Sequence, residues 1–264
     1  MNAFDLTGRR ALVTGGAQGL GEGMARALAA AGAKVLIGDL QTDAAGTVAG
    51  SLGSGHGAVS LNVTDDESWS TAIAAATEQL GGLDIVVNNA GVEISALMTE
   101  ISADDVRRQL DVNVLGTALG IKHALRTMRP GGAAGDGGVI INVASVAATI
   151  AFPGIAIYSA TKSAIDRMTR VAAMEAGKLG YGVRVNCIYP GLVPTEMGAG
   201  LASDMADLGL FGSAQEAVEA VVGLTPSGRL GEVGDMADAV VFLASDAARF
   251  VNGAGLPVDG GMGM

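Results

Sequence analysis

Seven short runs of β-branched and other apolar residues punctuate the chain at regular intervals: ALVTGG (11–16), KVLIGDL (34–40), GAVSLNV (57–63), LDIVVNNAG (83–91), GVIINVAS (138–145), VRVNCIYPG (183–191) and GLPVDGG (255–261). Helical patterning fills the gaps at 19–31, 43–52, 66–80, 103–129, 158–178 and 235–245. Ser102 reads as the N-cap of the fourth helix, with Asp105 in the capping-box position. Strands apolar on both faces and joined through helices pair in parallel by right-handed crossovers, so the alternation predicts an α/β, doubly wound, seven-stranded parallel sheet flanked by helices. No linker interrupts it. The Gly/Ala stretch at 130–138 reads as a surface loop feeding the next strand, no repeat of 20–50 residues is visible, and one domain over 1–264 is expected.

Charge narrows the partners. Sixteen Lys and Arg against twenty-seven Asp and Glu leave a net charge of -11, and the cations are scattered, so neither nucleic acid nor an anionic membrane is expected. The first ten residues, MNAFDLTGRR, lack a signal-like apolar core, and no run approaches the ~18 apolar residues of a membrane span. A soluble, cytoplasmic protein is expected. Cys187, alone in an apolar strand, reads as a buried structural thiol, and His56 and His123 have no metal-ligand spacing, so no metal is expected.

After the first strand, TGGAQGLG places Thr14, Gly15, Gln18, Gly19, Leu20 and Gly21 at the entry to an Ala-rich helix. Glycines there permit a tight turn and let a pyrophosphate approach the free N–H groups of the helix N-terminus. Asp39 closes the second strand about 20 residues on, where a carboxylate accepts hydrogen bonds from ribose hydroxyls and repels a 2′-phosphate. Neither Gln18 nor Leu40 supplies a cation to offset that repulsion, so NAD(H) is favoured over NADP(H) in a Rossmann-type cleft.

Tyr158 and Lys162 are four apart, one turn along one helix face, and Ser145 ends a strand at the edge where such sheets bind ligands. A phenol titrates near 10; bringing it about 3 units down requires roughly 4 kcal/mol of phenolate stabilisation, which a neighbouring ammonium and a positively charged cofactor ring can supply. Together with NNAG (88–91), Asn113 in DVNVLG, YSATK (158–162) and PG (190–191), these motifs resemble the classical short-chain dehydrogenase/reductase family over essentially the whole chain. The resemblance implies Tyr158 as catalytic acid/base, Lys162 as its partner and a ligand of the nicotinamide ribose, Ser145 as orienter of the substrate oxygen, and Asn113 as holder of a relay water. It also implies that Asn89, Ala90 and Gly91 line the nucleotide cleft, that Asn62 and Val63 touch adenine, the Asn62 amide oxygen accepting from the adenine amine, and that Pro190, Gly191, Val193 and Thr195, with Ile188, flank the nicotinamide.

The family builds its substrate wall from three segments. Here they hold Val146, Ala147, Ile150, Phe152 and Ile155; then Val92 and Glu93; then, in a substrate loop at about 192–225, Leu192, Val193, Met197, Leu201, Met205, Leu208, Leu210 and Phe211, several of them expected to pack only on the core. No Arg or Lys occurs in these segments before Arg229, which disfavours small hydroxy acids and favours a hydrophobic secondary alcohol or ketone of alicyclic, terpenoid, aryl-alkyl or steroid type. Glu93 reads as a solvated rim carboxylate, with contact to a polar substituent as the alternative. A 3-oxoacyl carrier-protein reductase is the competing activity, disfavoured by the acidic surface and by Met174 where those reductases carry Arg; a catalytically inert nucleotide-binding module is the non-enzyme alternative. Relatives are commonly homotetramers, and Ile165, Met168, Val171 and Met174 give the fifth helix a broad apolar surface that suits either that assembly or burial against the sheet.

Overall fold

A computed structural model describes residues 3–135 and 137–264; Met1, Asn2 and Asp136, the last in the expected 130–138 loop, lie outside them. The apolar runs become β1 (Arg10–Thr14), β2 (Lys34–Asp39), β3 (Gly57–Ser60), β4 (Ile85–Asn88), β5 (Gly138–Val143), β6 (Val183–Pro190) and β7 (Gly255–Val258). Among the described residues these form one sheet in the order β3-β2-β1-β4-β5-β6-β7, every neighbouring pair parallel.

The strands read as unbroken apolar runs because both faces are buried. Ala11, Val13, Val35, Ile37, Val87 and Ile141 pack into one layer, while the intervening Leu12, Leu36, Val86 and Ile140 pack into the other. The helices are α1 (Gly19–Ala30), α2 (Thr42–Leu52), α3 (Asp66–Leu80), α4 (Ala103–Gln109), α5 (Gly116–Met128), α6 (Ala156–Lys178), α7 (Glu196–Asp207), α8 (Ala214–Leu224) and α9 (Val233–Ala244). Met24 and Leu28 of α1, Val48 of α2 and Val240 and Leu243 of α9 fill the first layer; Trp69 of α3, Ile121 of α5 and Ala172 of α6 fill the second.

Two expectations change. The helix expected over 103–129 is broken by a π-helical stretch, Leu110–Leu115, between α4 and α5, with Ser102 capping α4 by accepting from the Asp105 N–H at 3.0 Å. The segment expected as a loop at 192–225 contains α7 and α8, capped by Thr195 and Ser213, whose hydroxyls accept from the N–H of Gly198 and Glu216. Strand order reverses between β1 and β4, so a crevice opens above their carboxyl ends, the place such sheets use for ligands.

Candidate active site

One cleft of about 1020 Å³ runs across that edge, lined from Gly15 and Asp39 at one end to Val146 and Met197 at the other; Ile188, expected beside the nicotinamide, is buried in the core and does not line it. Pockets for drug-sized ligands span about 300–1,000 Å³, so this cleft is as large as the largest of them. The glycine turn is built by its neighbours. The Thr14 hydroxyl accepts from the N–H of Asn89 and of Ala90, both at 3.0 Å, and Asn89 Nδ2 donates to the Thr14 and Gly15 carbonyls at 2.9 and 3.0 Å. Gly15 adopts φ +63°, and a Cβ on it would sit 2.9 Å from the Ala90 Cα. A Cβ on Gly21 would collide with the Gly15 carbonyl oxygen. This is a backbone-lined cradle at the start of α1, which suits a pyrophosphate.

Asp39 sits beside the turn, Oδ2 accepting from the Ala17 N–H at 3.0 Å and Oδ1 from that of Gln41 at 2.9 Å. Leu40 is exposed. Arg26 is a cation on this wall that was not anticipated; it pairs with Glu22 at 2.7 Å and donates to the Ser51 hydroxyl. Asn62 lines the cleft, but its amide oxygen, expected on the adenine amine, accepts instead from the N–H and hydroxyl of Thr64 at 3.1 and 2.9 Å. Only its Nδ2 is left to face a base, because the backbone N–H and the hydroxyl of Thr64 fill the oxygen's two lone pairs.

At the other end Ser145, Tyr158 and Lys162 converge. Ser145 leaves β5 and Lys162 rises from α6, its ammonium donating to the Val143 carbonyl at 2.9 Å and lying 5.4 Å from the centre of the Tyr158 ring. Burial is the main electrostatic fact here. It pushes the Tyr158 phenol up to about 12, reinforced by the charge of Glu93 and opposed by the Ser145 hydroxyl, and it draws Lys162 down to about 8. The expected lowering of the phenol is therefore not a property of the chain alone: the ammonium that should supply it is itself desolvated and held by a carbonyl.

Asn113, expected on the cleft, is buried inside the π-helical stretch. Its Oδ1 accepts from the Val92 N–H at 2.9 Å, and its Nδ2 donates to the Val92 carbonyl at 2.8 Å and to the Thr161 hydroxyl at 3.0 Å. It pins the backbone after NNAG beside the catalytic group.

The protein-family model described as enoyl-(acyl carrier protein) reductase matches residues 15–263. Trans-4-hydroxycyclohexanecarboxylate dehydrogenase of Sinomonas cyclohexanicum is 36% identical, covering 95% of this chain and 91% of that protein. The chain belongs to the classical short-chain dehydrogenase/reductase family. The 2,5-dichloro-2,5-cyclohexadiene-1,4-diol dehydrogenase of Sphingobium indicum is 39% identical, covering 97% of this chain and 96% of that one. Among solved structures, gluconate 5-dehydrogenase of Burkholderia cenocepacia J2315, in complex with NADP and tartrate, superposes with a TM-score of 0.88 at 34% identity, covering 99% of this chain and 97% of that one.

In this short-chain dehydrogenase/reductase the wall around Tyr158 is mostly apolar. Val146, Ala147, Ile150, Phe152, Ile155, Met197 and Leu201 line it, whereas Met205, Leu208, Leu210 and Phe211 pack beneath as the core of the α7–α8 cover. Further contributors were missed. Val221 of α8 and Met262 of the C-terminal turn line the cleft, the turn being held by Asp259, which accepts from the N–H of Gly261 and Gly263 at 2.9 Å each. Gln109, one turn before Asn113, is buried and bonds the backbone of Ile94. The i, i+4 amide pair was the available signal.

Cys187 is buried, its thiol pushed up to about 11 by desolvation; His56 accepts from the Val35 N–H at 3.1 Å; His123 contacts Asp66 at 2.8 Å. No helix among the described residues is long and apolar enough to cross a membrane. Ile165, expected on an apolar outer face, lies instead in the core, while Val171 and Met174 are exposed.

Proposed function

We propose that the protein is an NAD-dependent dehydrogenase/reductase that interconverts a hydrophobic, alicyclic-type secondary alcohol and its ketone. The observation that carries this reading is the convergence of Ser145, Tyr158 and Lys162 on an apolar wall at one end of a cleft whose other end holds Asp39. A bound nicotinamide ring supplies the hydride acceptor or donor. The Ser145 hydroxyl orients the substrate oxygen, and Tyr158 takes its proton as the carbon loses hydride, or returns it in the reductive direction. Lys162 holds the nicotinamide ribose and places positive charge under the phenol. The phenol of the free chain is held near 12, so the acid/base step depends on cofactor charge to bring it down.

The anchored Asp39 supports NAD over NADP, since Arg26, the cation on that wall, is already neutralised by Glu22. The relatives support the substrate class: one is named for a cyclohexanol carboxylate and one for a cyclohexadiene diol. We further take 1–264 as a single domain with 192–225 as its substrate-covering segment, working in the cytoplasm as a homotetramer. The exposed Leu110, Leu115, Val171 and Met174 on neighbouring helices support the assembly, which light scattering tests.

The deciding experiment follows absorbance at 340 nm with NAD or NADP and a panel of secondary alcohols. Saturable turnover with preference for NAD is expected, and Tyr158→Phe lowers kcat by about 10²–10⁴. Full activity in that variant refutes the acid/base role.

A further inference from the structure

Glu93 is the feature of the catalytic end that the proposed alcohol oxidation does not use. It lines the cleft half-buried, amid the apolar wall, and its charge reaches Tyr158. Its place is built. Asn113 exchanges two hydrogen bonds with the backbone of Val92, and Gln109 does the same with Ile94 at 3.3 and 3.4 Å, so two amides one helical turn apart clamp both neighbours of Glu93. Three residues on, the Ala96 N–H donates to the Gly154 carbonyl at 2.8 Å, tying the segment to the opposite wall.

The Ser95 hydroxyl donates to Glu93 Oε1 at 2.8 Å; among the described residues Oε2 has no hydrogen-bond partner, and no Lys, Arg or His pairs with this carboxylate. A partly desolvated carboxylate without a cation is costly unless a donor reaches it. Arg108 and Lys162 line the same cleft, but neither pairs with Glu93, and the charge of Asp204 on α7 raises its carboxyl further. A neutral donor carried by the substrate satisfies both conditions.

We infer that Glu93 is a specificity-determining residue that accepts a hydrogen bond from a second hydroxyl of the substrate, so that the natural substrate is a diol and hydroxy acids are rejected. This rests on the alcohol-oxidation reading.

The test compares cyclohexanol, cyclohexane-1,4-diol, 4-hydroxycyclohexanecarboxylate and 4-aminocyclohexanol in two measurements: initial rates with NAD and NADP, and binding to the cofactor-loaded Tyr158→Phe protein by thermal shift. The diol is expected to exceed cyclohexanol in kcat/KM by about tenfold to hundredfold, the scale of a hydrogen bond to a charged group. That ratio should collapse toward one in Glu93→Leu, and Glu93→Gln should raise the hydroxy acid relative to cyclohexanol. NADH fluorescence titration identifies variants that still fold and load cofactor. Turnover of cyclohexanol with no diol preference, a ratio unchanged in both Glu93 variants, or a preference for the amino alcohol overturns the inference and leaves the oxidoreductase reading standing. Glu93-dependent diol binding without turnover upholds the diol site and overturns the oxidoreductase reading. Neither turnover nor binding overturns both.

Discussion

The two ends of the cleft are held by different forces. At the glycine turn, directional hydrogen bonds join the strand ends: the Asn89 and Ala90 N–H groups donate to the Thr14 hydroxyl, the Asn89 amide donates to the Thr14 and Gly15 carbonyls, and the Ala17 N–H donates to Asp39. Over Tyr158 the cover is α7 and α8, packed through Ala202, Met205, Leu201, Ala217 and the stacked pair Phe152 and Phe211, whose ring centres lie 6.5 Å apart. Among the described residues a single side-chain hydrogen bond, Gln18 to Glu196 at 3.2 Å, ties these two helices to a distant part of the chain. Hydrogen bonds specify angle as well as distance, whereas apolar contact is non-directional. The cofactor end should therefore keep one geometry, and the substrate end should repack.

Lys162 stands at the seam, and its replacement gives the largest expected effect. Lys162→Met is expected to lower kcat by about 10²–10⁴ while stabilising the fold. The buried ammonium titrates at about 8 in the folded chain against an ordinary 10.5, so between those values the unfolded chain binds more protons and stability rises with pH. Below pH 8 the full cost is present, on the order of 3 kcal/mol, offset in part by the bond to the Val143 carbonyl. Denaturant titration at pH 7 should show the variant about 1–3 kcal/mol more stable, with the gap shrinking toward pH 10.5. A less stable variant at pH 7 would mean that the bond to β5 outweighs desolvation.

Gly21→Ala attacks the directional end alone. The new methyl meets the Gly15 carbonyl, which is backbone and cannot step aside without undoing the Asn89 bonds. Overpacking of that kind costs about 1–3 kcal/mol, so NADH should bind about tenfold to hundredfold more weakly in a fluorescence titration. Phe211→Ala attacks the other end. It removes the partner of Phe152, and kcat/KM for the alcohol should fall about tenfold while NADH affinity shifts less than about twofold. Parallel loss of cofactor affinity would show that the two ends are not held separately.

The same contrast explains what could be read in advance. Directional sites need particular residue types at particular spacings, so Gly15, Asp39, Asn89, Ser145, Tyr158 and Lys162 stand out in the sequence, and all six line the cleft. The sheet was legible because strands buried on both faces, such as ALV and VLI, carry no polar alternation. The cover was not. An apolar residue in the 192–225 segment looks alike whether it lines the cleft, as Leu201 does, or packs beneath it, as Met205 does. Only the caps betrayed α7 and α8, above all Ser213 followed three residues later by Glu216. Spacing likewise brings an ammonium near the Tyr158 phenol but says nothing of how much water both groups lose. Met262 was out of reach altogether, since it enters the cleft through a turn nucleated by the buried Asp259.

The smallest expected effect tests the adenine contact at the directional end. Asp at 62 would keep an oxygen for the Thr64 N–H and hydroxyl and would exchange the free Nδ2 donor for an acceptor. If Nδ2 donates to a ring nitrogen of adenine, Asn62→Asp loses one hydrogen bond, and NADH binds about threefold to tenfold more weakly. If the adenine amine is the partner, the carboxylate accepts from it and binding tightens, which would require the Asn62 oxygen to leave Thr64 when the nucleotide binds. Isothermal titration of the two proteins separates these outcomes by sign. A tightening would show that even the hydrogen-bonded end of the cleft rearranges around its ligand, and the contrast with the apolar cover would then be one of degree.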